Sequence, residues 1–342
     1  KVKGQWDFAF GWGVNTTFKD SVNRSNYGTG GPRSTRDNDT FQASQRIRTQ
    51  VNFIASENLQ GVLMFDIGVV NWGRSGGNNG FGTGGALDAD GVNIATKRAY
   101  LDWIVPNTEI SIRMGLQGLK LPSTPMGSPI MEADVAGVVV NSPLTDWLSI
   151  TAFWIRPFDA YQNDSDSGGV SDSLSDETDI FGLVLPFSFE GVNFTPWFMY
   201  GFIGANSGFY DYLFAYSYDN HVGLNDKRGA NSHSNAWWVG AHLEVTMFDP
   251  LVFNIEGIYG NLRRTDLSGL MDDWSTGYVR KGNGHPHEIG TSGWFVGATL
   301  DYTLDFMTTG IFGWYASGDK ESAGSDGKLG RLPVFGNDGG SF

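Results

Sequence analysis

Four arginines stand out by type and spacing. Arg46 and Arg48 lie two residues apart, and Arg98 and Arg113 lie in two later segments. In an extended chain, residues two apart project to the same side. Arg46 and Arg48 would therefore hold two positive charges side by side, an arrangement that attracts and steers anions but breaks no bond. Glu132 and Asp134 repeat the spacing with the opposite sign, and Lys97 and Lys120 are weaker cationic candidates. Bond-making constellations are missing from the sequence. It has no Cys, no GxSxG and no phosphate-binding glycine loop, and no His stands at a persuasive spacing from a Ser or Asp. The chain is expected not to be an enzyme and to use no cofactor. Within 163–166, Asp164 and Asp166 have part of a calcium-loop spacing but not the full loop, so a solvated acidic connection is the plainer reading. His285, His287 and Glu288 could ligate a metal, but Pro286 separates the two histidines.

Something must hold these charges in place, and composition narrows what it is. The chain has 342 residues, with 48 Gly, 12 Trp and a formal net charge of −14. Glycine is thus about twice its usual share of roughly 7%. Disordered chains are poor in aromatics, which excludes disorder, and Gly has no period of three, which excludes collagen. The acidic balance argues against nucleic acid, whose phosphates call for Lys and Arg. The longest uncharged stretch, 191–210, contains Asn193, Thr195, Pro196 and Asn206 and alternates, so it is a poor membrane helix. Lys1 reads as a mature N-terminus left after removal of a signal peptide.

The periodicity is two. From 6 to 18 the even positions read Trp6, Phe8, Phe10, Trp12, Val14, Thr16, Phe18, while the odd ones are polar or small. Similar rows follow, among them Phe41, Ala43, Ile47, Val51, Phe53; Phe194, Phe198, Tyr200, Phe202; Trp237, Val239, Ala241, Leu243, Val245; Trp294, Val296, Ala298, Leu300, Tyr302; and Phe312, Trp314, Ala316. About thirteen strands of roughly 9–14 residues result, with 134–141 and 145–156 of undecided phase. Their connections alternate. Short ones fall near 56–58, 106–108, 141–144, 190–191, 248–250 and 305–306. Long, Gly-rich ones fall near 20–40, 73–92, 120–133, 158–178, 203–235 and 261–290. Strict short–long alternation marks a transmembrane barrel with short turns at one end and long loops at the other.

Two hairpins check the register. A two-residue turn at Glu190-Gly191 sets Phe189 against Val192, Phe187 against Phe194, Leu183 against Phe198 and Phe181 against Tyr200. A three-residue connection 248–250 sets Met247 against Leu251, Val245 against Phe253 and Leu243 against Ile255. In both hairpins the apolar rows meet on one side, and a one-residue slip would destroy the match. A soluble sandwich would bury such a row. Here the opposite row carries Arg, Asp, Glu, Gln and Gly, and aromatics such as Trp6, Trp103, Trp237 and Tyr302 lie towards strand ends, as membrane girdles do.

Residues 97–122, KRAYLDWIVPNTEISIRMGLQGLKLP, with the opening WDFAFGWGV, resemble the trimeric outer-membrane porins of sulfate-reducing bacteria, relatives of the general bacterial porins. The resemblance implies an all-β, transmembrane antiparallel barrel of 16 strands, a homotrimer in the outer membrane of a Gram-negative cell. It would contact the lipid bilayer and lipopolysaccharide and pass ions and small hydrophilic solutes. It also implies that the connection 120–134 folds into the lumen as a constriction. With about thirteen strands visible, residues 1–342 read as one barrel domain that lacks C-terminal strands.

On this reading Arg46, Arg48, Arg98 and Arg113 form the basic wall of the constriction, and Glu132 and Asp134 the opposing acids. Asp66, Tyr100, Asp102, Gln117, His242, Glu244, Asn254 and Glu256 line the lumen. Strand pairing alone would set Arg48 near Asp66, and Arg113 against Tyr100 or Asp102. The rival functions are a solute-specific channel, for example for an oligosaccharide, and a β-sandwich adhesin or lectin.

Overall fold

The computed structural model describes residues 1–13, 40–73, 94–159, 177–204, 207, 233–266, 288–318 and 328–335. Among them every regular element is a β-strand. They fall into two compact units, Lys1–Ala99 and Tyr100–Phe342. The first unit holds β1 (Val2–Gly13), β2 (Thr40–Ser56), β3 (Leu59–Asn71) and the start of β4 (Ile94–Ile104). The second holds the rest of β4, then β5 (Ser111–Lys120), β6 (Glu132–Thr145), β7 (Leu148–Phe158) and β8 (Thr178–Val184). It continues with β9 (Phe187–Phe189), β10 (Val192–Ile203), β11 (Ser234–Phe248), β12 (Leu251–Asp266), β13 (Glu288–Thr303), β14 (Thr308–Ala316) and the two-residue β15 (Lys328–Leu329). In unit one, β1, β2 and β3 pair antiparallel in chain order; in unit two, so do β5 to β8 and β10 to β14, with the short β9 shared by β10 and β7 and β15 running parallel to β13. The chain is all-β.

The predicted hairpin at 190–191 forms with its register intact: Phe189 pairs Val192, Phe187 pairs Phe194, Leu183 pairs Phe198 and Phe181 pairs Tyr200. The long first arm is split into β8 and β9 around Leu185-Pro186, where proline has no N–H to give to the ladder. At 248–250 the register holds deep in the hairpin, with Leu243 on Ile255 and Val245 on Phe253. Near the turn it shifts, and Phe248 rather than Met247 pairs Leu251. A bulge takes up the extra residue.

The larger apolar row points outward. In unit two, Phe194, Phe198, Phe202, Val239, Phe253, Tyr259, Trp294, Val296, Leu300 and Tyr302 are between 38% and 56% exposed. The other row is buried, with Trp197, Met199, Ile203, Ala236, Trp238, Ile258, Leu262 and Phe295 at 8% or less. One assignment from alternation is reversed. Phe312 pairs Thr299 and Trp314 pairs Gly297, so these rings stand on the inner face, and Ile311 and Tyr315 join the outer row. Both rows of β14 carry large apolar side chains, and periodicity alone cannot choose between them.

Inner-face glycines make room for rings. Phe153 pairs Gly182, Trp197 pairs Gly240 and Trp238 pairs Gly260. In each pair the ring lies over the glycine opposite, where a side chain would collide with it. A Cβ on Gly240 would come within 2.5 Å of the Trp197 ring, and one on Gly260 within 2.6 Å of Trp238. A glycine in a strand weakens it, and a large cross-strand ring that covers the gap restores the packing. We expect Gly240→Ala to cost about 1–3 kcal/mol through overpacking, seen as a lower thermal unfolding midpoint. Gly313→Ala, whose Cβ would meet nothing within 4 Å, should leave the midpoint unchanged.

Candidate functional site: the inner face

Within unit one, the β1–β2 and β2–β3 registers set Asp7 opposite Arg46 and Arg48 opposite Asp66. Arg46 donates through Nε and Nη2 to Asp7 Oδ2 at 3.0 and 2.7 Å, and Gln5 donates to Asp7 Oδ1 at 2.8 Å. Arg48 grips Asp66 as a fork, at 2.7 and 3.0 Å. Arg98 is half-buried on β4.

Within unit two, Arg113 forks onto Asp102 at 2.6 and 3.1 Å, and its guanidinium carbon lies 4.5 Å above the centre of the Tyr100 ring. The two partners weighed as alternatives are thus used together. Forked arginine–carboxylate bonds are strong and directional. The arginines of the predicted basic wall at 46, 48 and 113 are therefore rigid, each with a carboxylate at hand. Gln117 is buried and donates to the Gly137 carbonyl at 3.0 Å.

The predicted acids stand where the connection meets β6. Glu132 opens β6 opposite Lys120, and Asp134 is opposite Gly118. Glu132 Oε2 lies 3.3 Å from Lys120 Nζ, and a Cβ on Gly127 would come within 2.8 Å of it, so this carboxylate reaches the connection 121–131.

The inner face of β10–β13 has two tiers. Near the short turns it is polar. Asn193 donates to Glu244 at 2.7 Å, His242 Nε2 lies 3.2 Å from Asn254 Oδ1, and Asn254 donates to Thr299 at 3.2 Å. Thr299 in turn donates to Asp301 at 3.2 Å. Near the long connections it is apolar, with Trp197, Met199, Ile203, Trp238, Ile258 and Leu262 in one buried cluster. Glu256 stands between the tiers.

The connection 121–131 lies across this face. Leu121, Ile130 and Met131 join the apolar cluster. Its chain is held by Leu121 N–H on the Met131 carbonyl at 3.2 Å, and by Gly127 N–H on that of Thr124 at 3.0 Å. The Thr124 hydroxyl donates to Glu256 Oε1 at 3.0 Å, joining residues 132 apart in sequence. Strands β6 to β8, β10 and β11 separate β5 from β12 in the sheet order, so the sheet of unit two curls enough for its concave face to meet the loop. Glu256 is only 2% exposed, and its Oε2 has no hydrogen-bond partner. It faces a small cavity shared with Thr124, Met126, Gly127, Phe295 and Phe312.

Sequence reasoning missed the apolar tier. It also missed Arg156, which binds Asp179 as a fork at 3.0 and 2.8 Å and lies 3.9 Å from Glu177 and from Asp159. The acidic stretch 159–179 contains no cation of its own, but Arg156, three residues ahead of it, was the available signal. Asp164, Asp166, His285, His287 and the tyrosine-rich run 209–218 lie outside the described residues. Among the described residues no group of three or more His, Asp or Glu could hold a metal, and no helix is long and apolar enough to cross a membrane.

No protein-family model and no curated protein matches the chain. Solved structures similar to it include Salmonella typhi OmpF in complex with daunomycin, 13% identical, with a TM-score of 0.48 over 97% of this chain and 82% of that one. A refined porin structure is 12% identical, with a TM-score of 0.37 over 92% of this chain and 94% of the other. A variant of Rh. blastica porin is 11% identical, with a TM-score of 0.36 over 93% and 94%.

Thr124→Val removes the hydroxyl donor to a buried carboxylate. It should loosen the connection by about 1–3 kcal/mol, seen as faster amide hydrogen exchange at Leu121 and Gly127. Glu256→Gln keeps an acceptor for Thr124 without a buried charge and should leave that exchange close to the wild-type rate.

Proposed function

We propose that the chain is an outer-membrane porin, a barrel whose lumen passes ions and small hydrophilic solutes by diffusion. The supporting observation is the outward apolar row: ring after ring on successive strands faces away from the concave side, while the concave side carries the hydrogen-bonded polar groups and the crossing connection. A soluble protein rarely exposes so continuous an apolar surface, and lipid covers it without cost. A β-sandwich adhesin would need that row buried. Strands β10 to β13, at 12 to 16 residues, exceed the 9–11 that a tilted strand needs to cross a bilayer.

The finer reading follows the resemblance: a homotrimer of the sulfate-reducer porin type, in contact with lipopolysaccharide, with Arg46, Arg48, Arg98 and Arg113 on the constriction wall. The ion pairs modify that role. A guanidinium locked to a carboxylate contributes a dipole rather than a net charge, so Arg46, Arg48 and Arg113 would shape the local field without making the pore strongly anion-selective. Glu132 and Asp134 remain the facing acids of this reading, and Glu256, which receives the crossing connection, joins them.

The protein should require detergent for extraction, run as a heat-modifiable oligomer and form conducting channels in planar bilayers. Solubility as a monomer without detergent would overturn the reading. Neutralising Arg46, Arg48 and Arg113 together leaves Asp7, Asp66 and Asp102 uncompensated. The reversal potential in a salt gradient should then move towards cation selectivity. Neutralising each arginine along with its aspartate should move it much less. An unchanged reversal potential in the triple variant would remove these residues from the conduction path.

A further inference from the structure

Residues 328–335 lie against the same inner face, and a diffusion channel gives no reason for them to be there. β15 pairs in parallel with β13, Lys328 with Gly290 and Leu329 with Thr291. Beyond it the segment continues along the concave side. The Trp238 indole N–H donates to the Pro333 carbonyl at 2.8 Å, the Ser317 hydroxyl donates to that of Gly330 at 2.7 Å, and the Thr291 hydroxyl donates to that of Arg331. Leu329, Leu332 and Phe335 enter the buried cluster, and the Phe335 ring centre lies 5.1 Å from that of Trp238. Phe335 N–H donates to the Ile130 carbonyl at 3.3 Å, so the segment is tied directly to the crossing connection.

The wall is cut to fit this segment. A Cβ on Gly293 would collide with the backbone at Arg331 and Leu332, and one on Gly260 would lie 3.0 Å from a Leu332 methyl. Leu332 is 7% exposed. The segment therefore covers the apolar tier, a surface that would otherwise face water, and the burial of Leu329, Leu332 and Phe335 favours the covered state.

We propose that residues 328–335 form an internal strap which, with connection 121–131, narrows the channel at its long-connection end and widens it when displaced. The proposal rests on the channel reading above. The strap and the connection 121–131 take up cross-section on the concave side, and pore diameter sets what a channel passes. Displacement exposes Trp238, Ile258 and Leu262 and opens the cross-section on that side.

The test uses the full chain, whose lack of Cys lets a single engineered thiol report alone. Leu332→Cys should resist a charged thiol reagent in detergent-extracted protein. Adding Gly293→Ala, which leaves no room for the strap, should make the thiol react quickly and raise single-channel conductance about twofold or more. Phe335→Asp, which alters the strap and not the wall, should raise conductance likewise, and it serves if Gly293→Ala does not assemble. Rapid labelling of Leu332→Cys without the second substitution overturns the seated strap. A thiol that becomes reactive while conductance stays at the wild-type value overturns the narrowing. Protein that never conducts, with the thiol buried or released, overturns the channel reading itself.

Discussion

Each residue of a strand commits its side chain to one of two faces, and in unit two the outward face takes a long, largely apolar row. That commitment governs the rest. A sheet with its hydrocarbon surface outside cannot stabilise itself by packing that surface on a second layer, so order on the concave side must come from other means. The structure supplies three: ion pairs between neighbouring strands, a ladder of amide, hydroxyl and carboxylate groups, and two inserted segments that bring their own apolar side chains. The forked bonds of Arg48 and Arg113 belong to the first means, and Trp238 under Phe335 to the third.

The outer face was legible in the sequence. Aromatics at every second position, with polar or small residues between, leave one pleat phase, and the hairpin at 190–191 formed in the predicted register. The inner face was legible only in its polar half. Asn254, Glu256 and His242 announce themselves by residue type, whereas Trp197 and Trp238 sit beside outward-facing Phe198 and Trp237 and make the period ambiguous. A clue lay on the neighbouring strand: inward phase carries a glycine opposite each of these rings, and cross-strand complementarity becomes visible only once register is fixed. β14 misled for the same reason, since both of its rows are apolar. The connection 120–134 is shorter than expected, because β6 already begins at Glu132.

The candidate site is also less charged than its residue list suggests. Reading Arg46, Arg48 and Arg113 along the chain yields three positive charges, but each has a carboxylate from the strand beside it. At the crossing connection the balance tips the other way. Glu256 holds Thr124 through Oε1 and leaves Oε2 without a hydrogen-bond partner, facing a cavity lined by Met126, Gly127 and Phe295. Charge on this face is therefore local and paired over most of its extent, with one acid left to depend on the position of the loop.

The hydrogen bonds that fix the two inserted segments set an order of assembly. Thr124 and its partner Glu256 lie 132 residues apart in the chain, and the Trp238 indole and the Pro333 carbonyl 95. Neither segment can settle until the wall behind it exists, and the wall includes Gly293 on β13. Contacts so distant in sequence are slow to form. The outer rows, built from adjacent hairpins, can take shape strand by strand, while the interior must remain unfinished and wet until nearly the whole sheet is in place. The covered apolar tier is then the last part of the molecule to acquire its structure.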